Sequence, residues 1–202
     1  MTTSEHTDLA LSAEAQDLLF REARTANSFS GDPVTDEQLR AIYDLMRWAP
    51  TSANTQPLRI TAVRTSEARA RLLPLMADGN RTKTESAPMT LLLSADRNFD
   101  QHMPRLFPFA PQMREMFADP RVRAEAADYN ATLQAAYTIL AVRAAGLAAG
   151  PMLGFDSAGV DAEFFPDGDR HVVLVVNIGK PGEDPWFERL PRLDYEEVVS
   201  VI

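Results

Sequence analysis

Two apolar segments, MTLLLSA at Met89–Ala95 and HVVLVVNIG at His171–Gly179, decide the fold predicted for this chain. Neither segment alternates polar with apolar residues, and strands of this kind are covered on both faces of their sheet. A third segment, LRITAVRT at Leu58–Thr65, alternates like a strand. We therefore predict a small sheet with helices packed around it.

Helical spacing of apolar residues predicts several helices around these strands. The first runs from Ala13 to Thr25, and the next begins at Thr35, where Gln38 completes a capping-box pattern. Ser66–Met76 is predicted to be a further helix, and the polar segment ADGNRTKTESAP to form at most a short helical turn. This order of elements predicts an α+β fold, an α/β sandwich around the sheet.

The stretch Tyr129–Ala149 is rich in alanine and is apolar on several sides. A helix of this kind has to be buried, either in a core or between subunits. Residues 97–128, just before it, contain Met, Phe and Pro and are interpreted as either a cap over a site or irregular packing. Residues 1–12 are expected to be flexible, and 1–202 to form a single domain.

Composition excludes several classes of function. The net charge of −9 argues against binding to nucleic acid or to an anionic membrane, both of which need clustered Lys and Arg. There is no cysteine, the three histidines are scattered, and no apolar run reaches the ~20 residues that span a bilayer. We expect a cytoplasmic protein without a metal site.

Five segments carry unusual polar or glycine-rich chemistry: REARTANSF, PTSANTQP, GNRTK, GPMLGFD and ERLPRLDYEEVV. Each has an ordinary structural explanation as well. Arg24 can complement a helix dipole, Lys83 can be a solvated surface charge, and Gly150 and Gly154 can end a helix. The arginines of the last segment can pair with the acids beside them. No one of the five segments is decisive alone.

Taken in order, the five segments resemble the nitroreductase family, which comprises FMN-dependent NAD(P)H oxidoreductases that form intertwined homodimers. The shared patterns are R-[ST]-x-N-x-F, P-[ST]-S-x-N-x-Q-P, N-x-x-K, G-P-M-x-G-F-D and R-x-x-R, and they cover about Leu18–Val199. Within the family, the chain is most similar to the malonic semialdehyde reductases. The resemblance implies a central mixed sheet flanked by helices.

The resemblance also implies which residues bind the phosphate end of FMN. Arg24, Thr25 and Asn27 match the motif that holds the phosphate and the ribityl chain. Arg189 or Arg192 matches a phosphate ligand near the C-terminus, and the sequence does not choose between them. Guanidinium groups suit this role because they bind phosphate bidentately.

The remaining matches concern the flavin ring. Asn80 and Lys83 match the pair beside its pyrimidine end, where a cation stabilises the reduced flavin. The stretch that lies against the ring corresponds to Pro151, Met152, Leu153 and Gly154. The loop that reaches the flavin from the other subunit corresponds to Thr51, Ser52 and Asn54.

Three positions depart from the family's usual pattern. Ala23 stands where many members have the first of two arginines, Leu58 where many have an aromatic residue, and Leu153 where some have Glu. The change at Ala23 removes one phosphate-binding cation. The other two affect packing or the flavin potential.

The activity that the resemblance implies is hydride transfer from NADH or NADPH to flavin N5, and then to a small-molecule acceptor, in a ping-pong cycle. Positioning and electrostatics supply the catalysis, so no catalytic base is predicted. The expected acceptors are malonic semialdehyde, giving 3-hydroxypropanoate, or a nitroaromatic or a quinone. Arg59, Arg105 or Arg114 could pair with a substrate carboxylate.

Two alternatives stay open at this point. One is a flavin enzyme that fragments or dehydrogenates its ligand without nicotinamide turnover. The other is a non-enzymatic, flavin-binding dimer that uses residues 97–128 as a partner surface.

Overall fold

A computed structural model describes residues 9–202, so most of the segment 1–12 that is expected to be flexible lies outside the described residues. Four strands form one sheet in the order β1-β2-β4-β3, and every neighbouring pair is antiparallel. The strands are β1 (Leu58–Val63), β2 (Met89–Asp96), β3 (Ala148–Met152) and β4 (Arg170–Gly179).

The prediction of central strands at Met89–Ala95 and His171–Gly179 is confirmed. All eight residues of β2 are buried, because β2 lies between β1 and β4 and has core residues on both faces. Leu91 and Leu93 enter one hydrophobic cluster with α2 and α6, and Leu92 enters a second cluster on the opposite face. The α+β sandwich is therefore confirmed, although its sheet is antiparallel rather than mixed.

Eight α-helices are described in residues 9–202, together with a π-helical turn at Asp17–Arg21 and several short 3₁₀ turns. The α-helices are α1 (Ala13–Gln16), α2 (Asp36–Met46), α3 (Ser66–Leu72), α4 (Asp78–Ser86), α5 (Met103–Leu106), α6 (Pro120–Ala144), α7 (Ser157–Phe164) and α8 (Tyr195–Val198). Of the sequence-based helices, the first ends earlier than predicted, and α4 is a full helix rather than a short turn. The predicted capping box is present, since Gln38 N donates to Thr35 Oγ1 at 3.2 Å and Thr35 N donates to Gln38 Oε1 at 3.0 Å.

The long helix differs most from its prediction. It begins at Pro120, where Asp119 caps it by accepting a hydrogen bond from Arg121 N at 2.8 Å, and it ends at Ala144. The residues after it lead into β3, whose first two residues, Ala148 and Ala149, lie in the stretch predicted to be helical. Gly146, with φ of +74°, separates helix from strand.

The helix α6 is also not buried on all sides within one chain. Its core face carries Ala127, Ala131, Ala135 and Val142, which are at most 2% exposed. On the other side, exposure is 69% for Tyr129, 39% for Leu133 and 41% for Tyr137. Within one chain, only one side of α6 is therefore buried, and burial of its other side between subunits stays a prediction.

Residues 97–128 form an irregular layer that contacts the core through buried aromatic rings and ion pairs. Phe99 is fully buried and meets the Phe117 ring edge-to-face, with 4.9 Å between centroids. Asp100 accepts a hydrogen bond from Arg114 Nε at 3.0 Å and lies 3.8 Å from Arg123 Nε. These contacts describe irregular packing, and a role of this layer as a cap stays a prediction.

Candidate functional site

One face of α4 brings together three of the segments that the sequence singles out. Asn80 and Lys83 are three residues apart and therefore point the same way. Asn80 Nδ2 donates to Gly154 O at 2.8 Å, and the same carbonyl accepts a bond from Ala77 N at 3.0 Å. Lys83 Nζ lies 3.5 Å from Asn27 Oδ1. A cation, two amides and the end of β3 thus meet at one place, which we call the α4–β3 cluster; it consists of Asn27, Asn80, Lys83 and Gly154.

A buried polar network lies directly beneath this face. Thr84 Oγ1 and Asn177 Nδ2 each approach Met152 Sδ at 3.8 Å, and Asn177 Nδ2 donates to Thr84 Oγ1 at 3.2 Å. Asn177 also accepts a hydrogen bond from Thr90 Oγ1 at 2.7 Å. The sequence patterns above do not predict this network, although an amide within the apolar segment HVVLVVNIG is a usable signal.

Residues 25–27 lie against the outer edge of β3. Thr25 bridges to Ala149, and Ala26 N donates to Ala149 O at 3.2 Å. The approach is close enough that a Cβ on Gly150 would lie 2.7 Å from Ala26 O. Gly150 is thus a residue inside β3 that admits a neighbouring backbone, and it does not end a helix.

The ring-contacting stretch ends in an exposed side chain. Leu153 follows β3 and is 76% exposed, while Met152 is buried at 5%. Gly154 carries no Cβ, and one built there would lie 2.7 Å from Asn80 Nδ2. The stretch therefore presents backbone and an apolar side chain at the surface, beside the polar groups of α4.

Two of the predicted phosphate ligands are not brought to this cluster by any hydrogen bond or ion pair of residues 9–202. Arg189 and Arg192 lie on the exposed segment after β4, and Arg192 Nη1 donates to the carbonyls of Leu190 and Pro191, each at 3.0 Å. Asn27 N does donate to Pro185 O at 2.9 Å, so this segment begins close to the cluster.

Arg24 lines a cavity of about 240 Å³. Arg143, near the end of α6, and Trp186 line it as well. Burial lowers the pKa of the Arg143 guanidinium below its ordinary value. Two guanidinium groups at one cavity fit the chemistry of a phosphate monoester better than that of a neutral ligand.

The loop PTSANTQP has a strained backbone. Ala53, Asn54 and Gln56 have φ angles of 48°, 53° and 43°, in the left-handed region that non-glycine residues seldom occupy. Gln56 N donates to Thr51 Oγ1 at 3.2 Å, and Gln56 Nε2 donates to Asn54 Oδ1 at 2.6 Å. Strain of this kind persists where the surroundings enforce it, often at functional sites.

Two amides on α6 enforce the shape of this loop. Asn130 Oδ1 accepts a hydrogen bond from Ser52 N at 2.7 Å, and Gln134 Oε1 accepts one from Leu58 N at 3.0 Å. Both amide side chains belong to residues that are 3% exposed. The sequence patterns do not predict these two residues either, although two amides four residues apart in an alanine-rich helix are an available signal.

The loop and the α4–β3 cluster lie at opposite edges of the sheet. The loop leads into β1 and the cluster surrounds β3, and the strand order β1-β2-β4-β3 puts three strand spacings, about 14 Å, between them. No hydrogen bond or ion pair of the described part of the chain joins Thr51, Ser52 or Asn54 to the cluster. Within one chain, the loop and the cluster therefore stay apart.

A cavity of about 540 Å³ opens next to the loop between α2, β1 and α5. Arg59 and Arg105 line it, and Arg59 Nη2 forms an ion pair with Asp96 Oδ2 at 2.5 Å. Arg114, the third candidate for a substrate carboxylate, is paired with Asp100. Within residues 9–202 only Arg105 of these three has no carboxylate within 4.0 Å.

Two kinds of site find no counterpart in the described residues. No group of three or more His, Cys, Asp or Glu side chains is arranged to hold a metal ion. Over the same part of the chain, no helix has both the length and the apolar character that crossing a membrane requires.

Similarity to known proteins extends over nearly the whole chain. A relative from Streptomyces griseus is 55% identical over 195 residues, covering 96% of this chain and 99% of its own length, and another from Streptomyces coelicolor is 57% identical with the same coverage. Both carry the provisional name NADH dehydrogenase/NAD(P)H nitroreductase.

Solved structures agree with the fold. A provisionally named nitroreductase of Bacillus subtilis superposes with a TM-score of 0.81 at 25% identity, covering 94% of this chain and 99% of that one. Another from Exiguobacterium sibiricum, solved in complex with FMN, superposes with a TM-score of 0.82 at 19% identity over 100% of both chains. The model of the nitroreductase family itself matches residues 20–180, and the chain belongs to the nitroreductase family.

Proposed function

We propose that the protein is an FMN-dependent oxidoreductase that transfers a hydride from NADH or NADPH to a small acceptor in a ping-pong cycle. The observation that carries the proposal is the meeting of Lys83, Asn27, Asn80 and the end of β3 on one face of α4. The provisional names of the relatives and the FMN-bound structural neighbour support the same activity. A cytoplasmic location is part of the proposal.

Bound FMN would supply a carrier for two electrons, and the residues of this chain would hold and tune it. Arg24 would bind the phosphate through its guanidinium group. Lys83 would lie beside the pyrimidine end of the ring, where its positive charge favours the reduced form and raises the potential. The backbone of residues 151–154 would lie against the ring, with Gly154 packed on Asn80, where a Cβ would not fit, and with Leu153 exposed.

The primary test is the visible spectrum of the protein with FMN, recorded under anaerobic conditions before and after addition of NADPH or NADH. We expect bound flavin whose absorption bleaches with at least one nucleotide. Bound flavin that stays yellow with both would favour an enzyme without nicotinamide turnover. A protein that retains no FMN would refute the proposal.

Lys83→Ala tests the electrostatic part of the proposal. Without the positive charge the reduced flavin loses a favourable partner, so the midpoint potential falls while the far-UV circular dichroism stays unchanged. Arg64, an exposed arginine that follows β1 and pairs with Asp36, provides a matched control as Arg64→Ala. An unchanged potential in Lys83→Ala would remove Lys83 from the site.

We further propose that two copies of the chain complete each site, with the loop of one copy placed beside the α4–β3 cluster of the other. The separation of β1 from β3 by three strand spacings, about 14 Å, supports this arrangement. So does the exposed apolar surface of α6 and of the C-terminal segment, where Phe187 is 72% exposed and Leu190 is 74% exposed. A monomer rarely leaves so many large apolar side chains in water.

Complementation between two impaired variants tests the shared site. Asn54→Ala damages the loop and Lys83→Ala damages the cluster, so each homodimer would lose activity at both sites. Mixed dimers, formed by co-refolding equal amounts, would contain one undamaged site, and random pairing would restore about a quarter of wild-type activity. No recovery beyond the sum of the two variants would argue for sites built from one chain.

The proposed acceptor class is a small aldehyde that carries a carboxylate, such as malonic semialdehyde, with nitroaromatics or quinones as further acceptors. Arg105 supports this class, because it lines the large cavity and has no carboxylate partner within the described residues. Arg105→Ala should raise KM for the carboxylated aldehyde and leave KM for a neutral quinone unchanged. An equal effect on both acceptors would argue against a carboxylate contact.

A further inference from the structure

Two arginines line the cavity beside Arg24, and neither has a carboxylate among the described residues to neutralise its charge. Arg24 and Arg143 both line this space of about 240 Å³. Every ion pair found in residues 9–202 involves other cations, so no Asp or Glu oxygen of that range lies within 4.0 Å of either group. Two like charges at one cavity repel each other unless an anion joins them.

Arg143 has a donor that no described residue satisfies. Its Nη1 donates to Leu19 O at 3.0 Å, but its Nε is buried and has no hydrogen-bond partner within residues 9–202. Burial also lowers the pKa of this guanidinium, which shows that its charge is partly removed from water. A buried donor without a partner is unfavourable and is uncommon in folded proteins.

The acidic residues that line the cavity do not neutralise the two arginines. Asp17 lines the cavity, but its carboxylate is bound to Arg21 at 2.7 Å. Glu22 also lines it and is exposed to solvent. A position near the C-terminal end of α6 gives Arg143 a favourable interaction with the helix dipole. That interaction explains a cation at this end of the helix, but it provides no acceptor for the buried Nε.

We propose that Arg143 is a second phosphate-binding residue, which acts beside Arg24 on the same phosphoryl group. The inference rests on the proposed function, because the phosphoryl group would be that of FMN. It also accounts for the departure at position 23, where Ala23 stands in place of an arginine that many members of the family carry. Arg143 supplies from α6 the charge that the N-terminal motif of this chain lacks.

The chemistry of the cavity suits a phosphate monoester. A monoester carries close to two negative charges at neutral pH and presents three acceptor oxygens, so it can bind two guanidinium forks at once. Most of the other lining residues are apolar, among them Leu147, Ala148 and Pro181. Charge-assisted hydrogen bonds are stronger in such surroundings than in water.

The test compares the binding of FMN with that of riboflavin, which has the same ring and ribityl chain but no phosphate. Arg143→Gln keeps a donor for Leu19 O and removes the charge, and Arg143→Lys keeps the charge and removes the fork. Loss of one charge-assisted contact should weaken FMN binding by about 10- to 150-fold in Arg143→Gln and leave riboflavin binding unchanged. Arg143→Lys should fall between that variant and the wild type.

Arg40→Gln is the matched control, because Arg40 is an exposed residue of α2 and its loss changes the net charge equally. Fluorescence quenching gives each dissociation constant, and thermal unfolding without ligand checks that each variant is folded. If Arg143→Gln weakens FMN and riboflavin equally, Arg143 supports the fold rather than the phosphate, and the inference is overturned. Unchanged FMN affinity in this variant overturns it as well.

Inorganic phosphate separates failure of the inference from failure of the proposed function. If the wild-type protein binds neither FMN nor riboflavin, the proposed function is wrong. Phosphate that raises the Tm of the wild type, but not of Arg143→Gln, would still support an anion site at Arg143. Phosphate that stabilises neither protein, or both equally, would overturn the inference.

Discussion

Replacing Gly150 by alanine tests the close approach between β3 and residues 25–27. A Cβ at this position would lie 2.7 Å from the carbonyl oxygen of Ala26, 3.3 Å from Phe29 Cζ and 3.6 Å from Asn177 Cβ. Close carbon–oxygen contacts in proteins lie at about 3.3–3.6 Å, so the Ala26 carbonyl would have to move by at least ~0.6 Å. That movement stretches the hydrogen bond from Ala26 N to Ala149 O, which is already 3.2 Å long.

The energetic terms of Gly150→Ala have opposite signs. Overpacking a buried site costs about 1–3 kcal/mol, and weakening one backbone hydrogen bond costs up to about 1 kcal/mol. Replacing a glycine in a strand also stabilises the fold by about 0.5–1 kcal/mol, because alanine loses less conformational freedom on folding than glycine does. We therefore expect a net loss of about 1–3 kcal/mol in the free energy of unfolding.

Urea unfolding followed by circular dichroism measures this difference, provided that the m-value stays constant. Gly79→Ala is the matched control, because Gly79 lies in α4 and a Cβ there meets nothing within 4 Å. The control should gain up to ~1 kcal/mol, so the two variants should move in opposite directions. A Gly150→Ala midpoint at or above that of the wild type would refute the close packing of residues 25–27 on β3.

Three further variants test the supports of the site. Asn130→Ala leaves Ser52 N without its acceptor, so we expect a loss of about 1–3 kcal/mol in unfolding free energy and faster proteolysis within residues 50–57; resistance equal to the wild type would contradict this role. Asp100→Asn removes the carboxylate that binds Arg114, so urea unfolding should show a loss of about 1–2 kcal/mol in unfolding free energy. Limited proteolysis of the same variant should show earlier cleavage in residues 107–118. Asn177→Leu fills the same space but leaves the Thr90 hydroxyl unsatisfied, and urea unfolding should show a loss of about 1–3 kcal/mol, which an unchanged midpoint would disprove.

The sequence predicts the elements whose signals are local. The apolar runs of β2 and β4 and the Thr35–Gln38 capping box are each contained within a few residues, and all three are present. The start of α6 carried equally local signals, with Asp119 as N-cap and Pro120 as first residue, but the polar first turns concealed them. Hydrophobic pattern alone was thus weaker evidence for this helix than its capping residues.

The missed elements depend on contacts with distant residues. The strand β3 has the sequence AAGPM, which contains no residue that favours strands, and only its pairing with β4 and its contact with Ala26 make it extended. Arg143 lies in an alanine-rich helix, where a sequence pattern suggests a solvated charge. Its burial and its shared cavity with Arg24 follow from tertiary packing that no local pattern records.

The pairing of β2 with β4 has a consequence for biosynthesis. These two strands form the middle of the sheet, yet β2 ends at Asp96 and β4 ends at Gly179. At 5–20 residues per second, a ribosome needs roughly 4–17 s to synthesise the chain between these two points. During that time β2, whose residues are all destined for the interior, has only β1 as a partner and exposes its other edge. The nascent chain is therefore expected to need a chaperone, and slowing of translation after Asp96 should increase aggregation more than slowing before Met89.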